Sequence, residues 1–456
     1  MSRYLAVDIG ASSGRHIVAS LEGGRLVMRE VYRFPNGAKE KNGSLVWDAD
    51  ALFEEILTGL KRADEAGLRP DYVGIDTWAV DYALLDEKGE RIGDVFSYRD
   101  KRGGIAAKEA HAIIPFSSLY EKTGIQYQPF NTIYQLFDDK KSGKLEKARS
   151  FLMLPDYFHY RLTGVKKQEY TNATSTGMVN AKSHLWDEGI LSSLGFDPAL
   201  FGELSAPGSI VGGFKEDIKE RLGYDATVIL PATHDTASAV LAAPIRGKAP
   251  YISSGTWSLL GIESSSAHTD EKARLYNYSN EGSLEKTFRF QKNIMGLWMI
   301  QNVRKELKEA YSFAELAALA KENPTDAVID VNDERYLAPK SMIAAIEEEI
   351  GKRSVGEIAY CIFNSLALSY KKAIDELESM TGEKCDRLHI IGGGSQNALL
   401  NKLTAEKTGK TIVLGPTECT AIGNVVAQML GTGEIKSLAE ARNIIGKSFE
   451  IKEIKL

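Results

Sequence analysis

The sequence has 456 residues, more than one hydrophobic core usually serves, so we expect two domains of comparable size. Its formal net charge of -6, with acids and bases interspersed, offers no basic face to nucleic acid or anionic lipid, and small-molecule chemistry is favoured. Three cysteines without a CxxC or zinc-type spacing argue against a disulfide framework and a structural metal.

The N-terminus leads directly into a strand-like segment, Tyr4 to Asp8, without the apolar core and small-residue cleavage site of a signal peptide. No stretch of the sequence approaches the roughly 20 apolar residues that a membrane-spanning helix needs. We therefore expect a cytoplasmic protein that binds neither membrane nor nucleic acid.

The first predicted elements form a β-meander with small residues at its first turn. Strands are predicted over Tyr4 to Ile9, His16 to Leu21 and Leu26 to Phe34. Between the first two strands the run from Asp8 to Arg15 has glycines that let the backbone approach phosphate oxygens, hydroxyls on Ser12 and Ser13, and a positive charge on Arg15. This run predicts a phosphate-binding turn in which Asp8 holds Mg²⁺ directly or through water. A plain hairpin turn is the alternative.

A helix and two further strands follow the meander. Asp48 or Asp50 is expected to cap the helix, and Gly67 to end it; the apolar face carries Leu52, Ile56, Leu57 and Leu60. Residues 71 to 76 and 80 to 85 are strand-like. This order of elements predicts a mixed sheet covered by helices.

The segment from Asp76 to Tyr82 combines an indole, a phenol and two carboxylates. A sugar presents apolar C–H faces together with a rim of O–H donors, so aromatic faces next to carboxylates are typical of carbohydrate sites. The segment therefore predicts a contact between Trp78 and a sugar, with buried structural aromatics as the alternative.

A second carboxylate, Asp235, follows an apolar strand predicted over Thr227 to Pro231. At a strand end it could accept the proton of an attacking hydroxyl, a role worth about 10² to 10⁴ in rate. The alternative is that Asp235 caps a helix from Ala237 to Ala242, which would not exclude catalysis. Asp8 and Asp235 together suit phosphoryl transfer, in which a metal is held near the phosphates and a hydroxyl loses its proton.

The second half of the sequence restarts this plan. We place the boundary near residues 244 to 250, where Pro244, Gly247 and Pro250 punctuate the chain, which predicts domains over residues 1–244 and 245–456. Pro250 to Gly261 again has a strand, a small polar turn and a strand, and we expect Thr256 to contact the γ-phosphate. The segment from Lys292 to Trp298 is similar to the predicted sugar segment, with Asn293 as a neutral donor and acceptor before a helix that carries Gln301.

A long amphipathic helix is predicted over Val355 to Met380. A strand over 387 to 391, a turn of three glycines at 392 to 394, a helix over 396 to 408 and a strand over 411 to 414 follow it. The glycines expose bare backbone at a helix N-terminus, which makes an adenosine site plausible. They do not complete the dinucleotide-binding fingerprint, because Asn397 occupies the position of its last glycine.

These motifs together resemble the FGGY family of carbohydrate kinases, in the actin/Hsp70/hexokinase ATPase superfamily, over essentially the whole chain. The matching runs are Val7 to Arg15, Gly74 to Trp78, Tyr98 to Asp100, Pro129 to Thr132, Leu154 to Phe158, Glu169 to Thr174, His234 to Val240, Ser253 to Leu260, Asn293 to Trp298 and His389 to Asn397. The resemblance implies an α/β fold of two ribonuclease-H-like (actin-like ATPase) domains, each a mixed β-sheet flanked by helices, with the active site in the interdomain cleft.

The resemblance also implies a reaction: ATP with Mg²⁺ phosphorylates the 1-hydroxyl of L-rhamnulose in L-rhamnose degradation. By matching position, the ATP contacts are Ala11, Ser12, Ser13, Gly14, Arg15, Thr256, Gln301 and Gly393. The sugar contacts are Ala79, His234, Asp235, Thr236 and Asn293, with Asp235 as proton acceptor, and Asp8 and Asp235 are the expected metal-binding residues. The family pattern has glycine where this sequence has Ala79, which bears on fine substrate preference.

The nearest alternative is a kinase of another ketose or polyol, such as L-fuculose, L-xylulose or glycerol, acting by the same mechanism. A noncatalytic sugar sensor on the same fold is expected to lack one catalytic carboxylate, whereas Asp8 and Asp235 are both present. An Hsp70-like chaperone ATPase is expected to carry a C-terminal peptide-binding module, which we do not expect after the predicted nucleotide-binding half.

Overall fold

The structure is a computed structural model, which describes residues 1–455 and divides into two compact units. Unit 1 comprises Met1–Ala242, Ser264–Phe290 and Thr420–Ser448, and unit 2 comprises Ala243–Glu263, Gln291–Cys419 and the segment from Phe449 onward. Because these units follow spatial contacts rather than chain order, the division of the sequence at residue 244 stays a prediction. Within residues 1–455, no helix combines the length and apolar character required to cross a membrane.

Up to residue 242 the chain forms a meander and a series of alternating strands and helices. The strands are β1 (Tyr4–Ile9), β2 (Ser13–Glu22), β3 (Arg25–Pro35), β4 (Lys39–Lys41), β5 (Ser44–Trp47), β6 (Tyr72–Thr77), β7 (Tyr82–Leu85), β8 (Val95–Phe96), β9 (Ser150–Met153), β10 (Gln168–Glu169), β11 (Leu204–Ser205), β12 (Ile210–Gly213) and β13 (Thr227–Ile229). The helices are α1 (Ala49–Glu65), α2 (Arg102–Ile113), α3 (Phe116–Thr123), α4 (Thr132–Lys141), α5 (Leu154–Thr163), α6 (Tyr170–Thr174), α7 (Glu188–Leu194), α8 (Glu216–Leu222) and α9 (Asp235–Leu241).

The rest of the chain also combines strands and helices. Its strands are β14 (Tyr251–Ser254), β15 (Trp257–Ser264), β16 (Ser279–Gly282), β17 (Phe288–Met295), β18 (Arg387–Ile391), β19 (Thr411–Leu414) and β20 (Lys452–Ile454). Its helices are α10 (Glu271–Leu275), α11 (Trp298–Glu306), α12 (Phe313–Glu322), α13 (Met342–Ile350), α14 (Val355–Thr381), α15 (Ala398–Thr408), α16 (Cys419–Thr432) and α17 (Leu438–Ser448).

Unit 1 is built on a mixed sheet with the strand order β12-β13-β6-β1-β2-β3. β1 pairs antiparallel with β2 and parallel with β6, and β6 pairs parallel with β13. The apolar side chains of β1 share one buried cluster with the apolar face of α1, including Val7, Ile56 and Leu60. Asp48 caps α1, because its side chain accepts from the Ala51 N–H at 3.1 Å. The predicted meander, helix and mixed sheet are confirmed.

Buried amides of α16 hold the central strands of unit 1. The Gln428 Nε2 donates to the Leu5 carbonyl at 3.0 Å, and the Asn424 Nδ2 donates to the Gly74 carbonyl at 3.1 Å. At Gly423 the helix approaches α9 so closely that a Cβ atom would stand 1.7 Å from the Ser238 carbonyl oxygen. The polar side chains of α16 therefore satisfy backbone groups of the sheet, and its glycine makes room for α9.

Unit 2 contains a second mixed sheet, in which the strands follow the order β17-β15-β14-β18-β19-β20. β14, β18 and β19 are parallel neighbours, whereas β15 and β20 run antiparallel beside them. The predicted hairpin and the long helix α14 are confirmed. The predicted start of the next helix at residue 396 is wrong, because a 3-10 turn covers Gly393–Gln396 and Asn397 caps α15 with a bond from the Leu400 N–H at 3.0 Å.

Candidate functional site

Carboxylates occupy the ends of adjacent strands in unit 1. Asp8 of β1 is the register partner of Asp76 in the parallel strand β6. The next residue of β6, Thr77, donates its N–H to the Thr233 carbonyl at 3.0 Å and forms a bridge with His234. Neighbouring strands lie about 4.8 Å apart, so Asp8, Asp76 and the segment leading to Asp235 follow one another across the sheet. The structure thus brings the two predicted catalytic carboxylates together and adds Asp76 beside them.

Asp76 and Asp235 have raised proton affinity in this group. Burial raises the pKa of Asp76 well above its ordinary value, and Asp8 and Asp235 raise it further. One oxygen of Asp76 accepts from Asn424, and the other is buried without a hydrogen-bond partner. Burial also raises the pKa of Asp235, with Asp8 adding to the increase and His234 opposing it. A carboxylate with a raised pKa is a stronger base than an ordinary aspartate, which suits proton abstraction.

Asp8 and Arg15 form an ion pair across the β1–β2 hairpin. The Nε and Nη2 atoms of Arg15 lie 2.9 and 2.8 Å from the Asp8 Oδ2. Their side chains are 25% and 6% exposed, so the pair is largely withdrawn from solvent. The guanidinium that sequence analysis assigned to phosphate therefore also neutralises the adjacent carboxylate.

The turn between β1 and β2 has a fixed shape. The Gly10 N–H donates to the Ser13 carbonyl at 2.9 Å. Asn36 holds the turn from outside: its Nδ2 donates to the Gly10 carbonyl at 2.8 Å, and its backbone N–H donates to the Ser12 carbonyl at 2.9 Å. Gly14 is required because a Cβ atom there would stand 2.1 Å from the Phe34 ring. Ser12 is exposed, and Ala11 and Ser13 are half-buried. The exposed side of this ordered turn can receive an anion.

Asp235 begins helix α9, and His234 rather than Asp235 occupies the N-cap position. The Asp235 Oδ1 accepts from the Thr236 N–H and from its hydroxyl at 3.1 Å. Its side chain is 30% exposed, compared with 8% for His234. The Asp235 side chain is therefore more accessible to solvent than that of His234, and the first turn of the helix orients it.

Every polar group of Thr233, the residue before His234, forms a hydrogen bond. Glu169 accepts from the Thr233 N–H at 3.0 Å and from its hydroxyl at 2.8 Å. The Thr233 carbonyl accepts from Thr77, as given above, and from the Asn172 side chain at 3.4 Å. Glu169 also caps α6 by accepting from the Thr171 N–H at 2.7 Å. These bonds fix the backbone that presents Asp235.

The predicted sugar segment turns sharply after β6. Val80 has a φ of +69°, and the Asp81 N–H donates to the Ala79 carbonyl at 3.0 Å, which describes a γ-turn that a β-branched residue adopts only under strain. The Thr132 hydroxyl donates to the Val80 carbonyl at 2.7 Å. Ala79 is half-buried at this turn.

The Trp78 indole is buried against that of Trp47, with ring centroids 4.2 Å apart. Both indoles donate to the Asp81 Oδ2, at 2.8 Å from Trp78 and 2.6 Å from Trp47, and the Tyr98 N–H donates to it at 3.1 Å. Burial raises the pKa of Asp81 to about 6. The carboxylate of Asp81 therefore organises the aromatic wall next to Ala79.

In unit 2 the segment from Ser253 to Thr256, which we call the hydroxyl-rich turn, supports the start of α11. The Gly255 and Thr256 carbonyls accept from the N–H groups of Leu297 and Trp298 at 2.9 and 3.1 Å. This approach needs Gly296, where a Cβ atom would lie 2.6 Å from the backbone of Trp257. The contact brings Thr256 to the helix that carries Gln301, and both residues are half-buried.

The glycine turn adjoins the same hydroxyl-rich turn. A Cβ atom at Gly394 would stand 1.9 Å from the Ser254 hydroxyl, and Gly392 has a φ of +79°. Gly393 between them is exposed, and a Cβ atom there would meet nothing within 4 Å. The elements carrying Thr256, Gln301 and Gly393 therefore form one neighbourhood in unit 2. Asn293 lies on β17 of the same unit, next to Lys292, whose ammonium donates to Glu376 at 2.7 Å.

The supporting roles of several residues were not predicted. Asn36 was not singled out at all, and Thr132 and Glu169 stood only within runs that match the family. Asp76 and Asp81 were predicted only as carboxylates of the sugar segment, whereas Asp76 stands beside Asp8 and Asp81 binds the indoles. The sequence offered one usable signal, the position of Asp76 at the end of an apolar strand next to Thr77 and Trp78. The other residues act on partners far along the chain, which no local pattern indicates.

Comparison with known families finds two matches that together span most of the chain. Residues 3–242 match the N-terminal domain of the FGGY family of carbohydrate kinases, and residues 250–432 match its C-terminal domain.

Individual relatives agree with the family match. A rhamnulokinase of Halalkalibacterium halodurans is 49% identical, over 99% of this chain and 98% of its own, and one of Bacillus subtilis is 42% identical, over 98% and 94%. Among solved structures, a xylulose kinase of Lactobacillus acidophilus aligns with a TM-score of 0.81 at 16% identity, over 99% of this chain and 93% of its own. Plasmodium falciparum glycerol kinase aligns with a TM-score of 0.79 at 15% identity, over 99% and 94%. This chain therefore shares the fold of both solved structures over nearly its full length. At such low sequence identity the likeness shows the fold alone.

Proposed function

Because the chain belongs to the FGGY family of carbohydrate kinases, we propose that it transfers the γ-phosphoryl group of ATP to the 1-hydroxyl of L-rhamnulose. The products are L-rhamnulose 1-phosphate and ADP. The observation that carries the choice of sugar is the likeness to proteins named rhamnulokinase over nearly the full length of both chains. Kinases of L-fuculose, L-xylulose or glycerol are the less favoured alternatives.

Asp235 is the proposed proton acceptor. Its carboxylate is the accessible one of the group, and its raised pKa increases its affinity for the proton of the attacking hydroxyl. The bonds to Thr236 hold one carboxylate oxygen in place while the other can face the sugar. Proton transfer to Asp235 makes the sugar oxygen nucleophilic as it approaches the phosphoryl group.

We assign the sugar to residues of both the Asp235 segment and the γ-turn. His234 and Thr236 flank the base, and Ala79 offers backbone at the strained turn next to the buried Trp78. Asn293 supplies a neutral donor and acceptor for hydroxyl groups. A methyl side chain at Ala79, where the family pattern has glycine, narrows the space for the sugar at that point.

We assign ATP to three turns: the turn between β1 and β2, the hydroxyl-rich turn and the glycine turn. The turn from Ala11 to Arg15, which is exposed at Ser12, provides backbone N–H groups, hydroxyls and one guanidinium for phosphate oxygens. In unit 2 the Thr256 hydroxyl is the proposed γ-phosphate contact. Gln301 and the open backbone at Gly393 suit the remainder of the nucleotide.

The donor set fits a nucleotide-bound Mg²⁺. Asp8 and Asp235 supply carboxylate oxygens, and Mg²⁺ bound with a nucleotide uses one or two such groups together with phosphates and water. Within residues 1–455 no group of three or more His, Cys, Asp or Glu side chains is arranged to hold a metal by itself, so the ion is expected to arrive with the nucleotide. When bound, Mg²⁺ neutralises charge on the transferred phosphoryl group.

The proposal is tested with an assay of ADP release by the purified protein. Mg²⁺-ATP is offered with L-rhamnulose, L-fuculose, L-xylulose, D-xylulose, L-ribulose and glycerol in parallel. We expect the highest kcat/KM for L-rhamnulose, and ³¹P NMR of the product should show phosphate on carbon 1. Preference for another member would replace the sugar and keep the reaction. Binding of ATP without turnover of any member would favour a sensor.

A further inference from the structure

Three buried hydroxyl groups in unit 2, which we call the Tyr370 cluster, lie beside the hydroxyl-rich turn: those of Ser254, Ser258 and Tyr370. Ser254 and Ser258 are register partners in the antiparallel pair of β14 and β15, so their side chains lie on the same face of the sheet. Tyr370 belongs to α14, and its hydroxyl lies 2.7 Å from the Ser258 Oγ. The three residues are at most 2% exposed. The proposed function assigns none of the three hydroxyls to a substrate.

The bond between Tyr370 and Ser258 joins two neutral hydroxyls. Burial raises the pKa of Tyr370 to about 12, so the phenol keeps its proton throughout the neutral range. A hydroxyl can donate and accept, so the bond holds whichever of the two oxygen atoms donates. The bond therefore ties α14 to β15 at one distance, and it does not vary with pH over the range of an enzyme assay.

The Tyr370 cluster supports the hairpin that carries Thr256. The Gly255 N–H donates to the Trp257 carbonyl at 2.9 Å, which places Thr256 at the tip of the hairpin. The glycine turn packs on β14, because a Cβ atom at Gly394 would stand closest to the Ser254 Oγ. One strand of the hairpin thus meets Tyr370, and the other meets the glycine turn that we assign to the nucleotide.

The preceding residue of α14, Ser369, supports the segment that the hairpin contacts. Its hydroxyl accepts from the Asn332 Nδ2 at 3.2 Å, and the Asn332 Oδ1 accepts from the Met295 N–H at 3.1 Å. Met295 ends β17 and precedes Gly296, where the hydroxyl-rich turn approaches the start of α11. Because α14 is 27 residues long and begins with a capping box, it provides one frame for both sides of that approach.

We infer that Tyr370 is a positioning residue for the γ-phosphate of ATP: by bonding to Ser258, it holds the hairpin so that the Thr256 hydroxyl keeps one position. Without this bond, the hairpin can shift against α14 while the rest of unit 2 stays folded. The inference rests on the proposed function for the identity of the phosphate and for its contact at Thr256. It concerns a phosphate that ATP has and ADP lacks, which makes the test selective.

Stability alone does not account for these hydroxyls. A phenylalanine in place of Tyr370 and an alanine in place of Ser258 would fill nearly the same space and bury no polar atom. The bond between two neutral hydroxyls adds little net stability, because both give up hydrogen bonds to water when the chain folds. What the bond adds beyond apolar packing is a fixed distance and direction between α14 and the hairpin.

Tyr370→Phe removes the hydroxyl and keeps the ring. Its matched control is Tyr251→Phe, at the first residue of β14, where a buried tyrosine donates to the Gln291 Oε1 at 2.8 Å. Binding of ADP and of the non-hydrolysable ATP analogue AMP-PNP is measured by calorimetry with Mg²⁺, and thermal unfolding is followed in parallel. We expect Tyr370→Phe to weaken AMP-PNP about 3- to 10-fold and ADP less than about twofold, whereas Tyr251→Phe weakens neither. An equal loss for both nucleotides, or no loss for either, would overturn the inference.

Ser258→Ala breaks the same bond from its other end and should give the same selective loss. Combined with Tyr370→Phe, it should add little to the loss for AMP-PNP, because the bond is already broken. Thr256→Val removes the hydroxyl proposed to meet the γ-phosphate, and in that background Tyr370→Phe should change the affinity for AMP-PNP less than about twofold. Fully additive losses in either combination would contradict a route from Tyr370 through Ser258 to Thr256 and overturn the inference.

These binding measurements need no sugar, so they separate the inference from the proposed reaction. A wild type that binds AMP-PNP and phosphorylates no sugar would end the proposed function, and the selective loss in Tyr370→Phe would still decide the inference. If Thr256→Val binds AMP-PNP as tightly as the wild type does, the γ-phosphate contact lies elsewhere and the inference is overturned. In that case the ADP-release assay would still decide the reaction.

Discussion

The carboxylate of Glu169 accepts hydrogen bonds from both the N–H and the hydroxyl of Thr233, at 3.0 and 2.8 Å, two residues before Asp235. Glu169 is fully buried, so water cannot replace these hydrogen bonds when they are broken. The position of Asp235 thus depends on a side chain that belongs to a different part of the sequence.

We expect Glu169→Gln to lower the unfolding free energy by about 2 to 3 kcal/mol, because the amide turns N–H groups toward the N–H donors of Thr233 or Thr171. We also expect kcat to fall about tenfold as the Asp235 segment loosens. Urea denaturation and the ADP assay measure the two effects. Glu203→Gln, at an exposed position, is the matched control and should change neither. A stable variant with full kcat would contradict the positioning of Asp235 by Glu169.

Asp235→Asn is expected to reduce kcat by about 10² to 10⁴, because the amide cannot accept the hydroxyl proton. The Kd values for sugar and ATP should change little, since the amide preserves shape and polarity. Calorimetric titration and the ADP assay together measure this separation. Asp217→Asn, at an exposed position on α8, is the control. Retained turnover would move the base to another residue.

Asp8→Asn is expected to shift the Mg²⁺ dependence of turnover to higher concentration. The substitution removes a carboxylate oxygen and frees Arg15 from its ion pair, so binding of ATP without metal should not weaken. Turnover is measured over a range of Mg²⁺ concentrations at saturating ATP and sugar. An unchanged Mg²⁺ titration would count against a metal-binding role for Asp8.

The stability contributed by Asp81 should depend on pH. Its pKa is raised to about 6, chiefly by burial, so the native state binds the proton more tightly than the unfolded state. The contribution is fully present below the ordinary pKa of about 4 and is lost as pH rises through 6, by at most about 3 kcal/mol. Compared with Asp81→Asn, whose side chain does not titrate, the wild type should lose stability between pH 4 and pH 7. A difference that stays constant over this range would contradict the raised pKa.

Gly423→Ala should disrupt the contact between α16 and α9. The new Cβ atom would stand 1.7 Å from the Ser238 carbonyl oxygen, so a backbone must move. We expect a loss of about 2 kcal/mol or more in unfolding free energy and lower kcat, because α9 begins with Asp235. Gly446→Ala is the control: it lies exposed in α17, with nothing within 4 Å of the new atom, and should be neutral or stabilising by up to about 1 kcal/mol. Equal behaviour of the two variants would contradict the packing described for α16.

The elements that the sequence predicted correctly are those with a local physical cause. The meander follows from alternation and glycine turns, and α1 follows from its apolar face and its cap at Asp48. The helix after the glycine turn begins two residues later than predicted, because a 3-10 turn covers Gly393–Gln396 and Asn397 then caps the helix.

The supporting contacts of the site could not be predicted, because they join distant parts of the chain. Glu169 and Thr233 are 64 residues apart, and Leu5 and Gln428 are 423 residues apart. No residue near Glu169 in the sequence indicates Thr233 as its partner. Likewise, the strand pattern around Arg289 gives no sign that His234 is its neighbour, because burial of a charge depends on the partners that the fold supplies.

The γ-turn at Val80 has a consequence for how sugar preference can change over evolution. A β-branched residue with positive φ costs about 1 to 3 kcal/mol, and the turn persists only while the Thr132 hydroxyl and the Asp81 carboxylate hold it. Substitutions at these supports would let the backbone at Ala79 relax without altering any group assigned to the sugar. Selection at Thr132 of α4 and at Asp81, the residue before β7, could therefore broaden or narrow the range of sugars accepted.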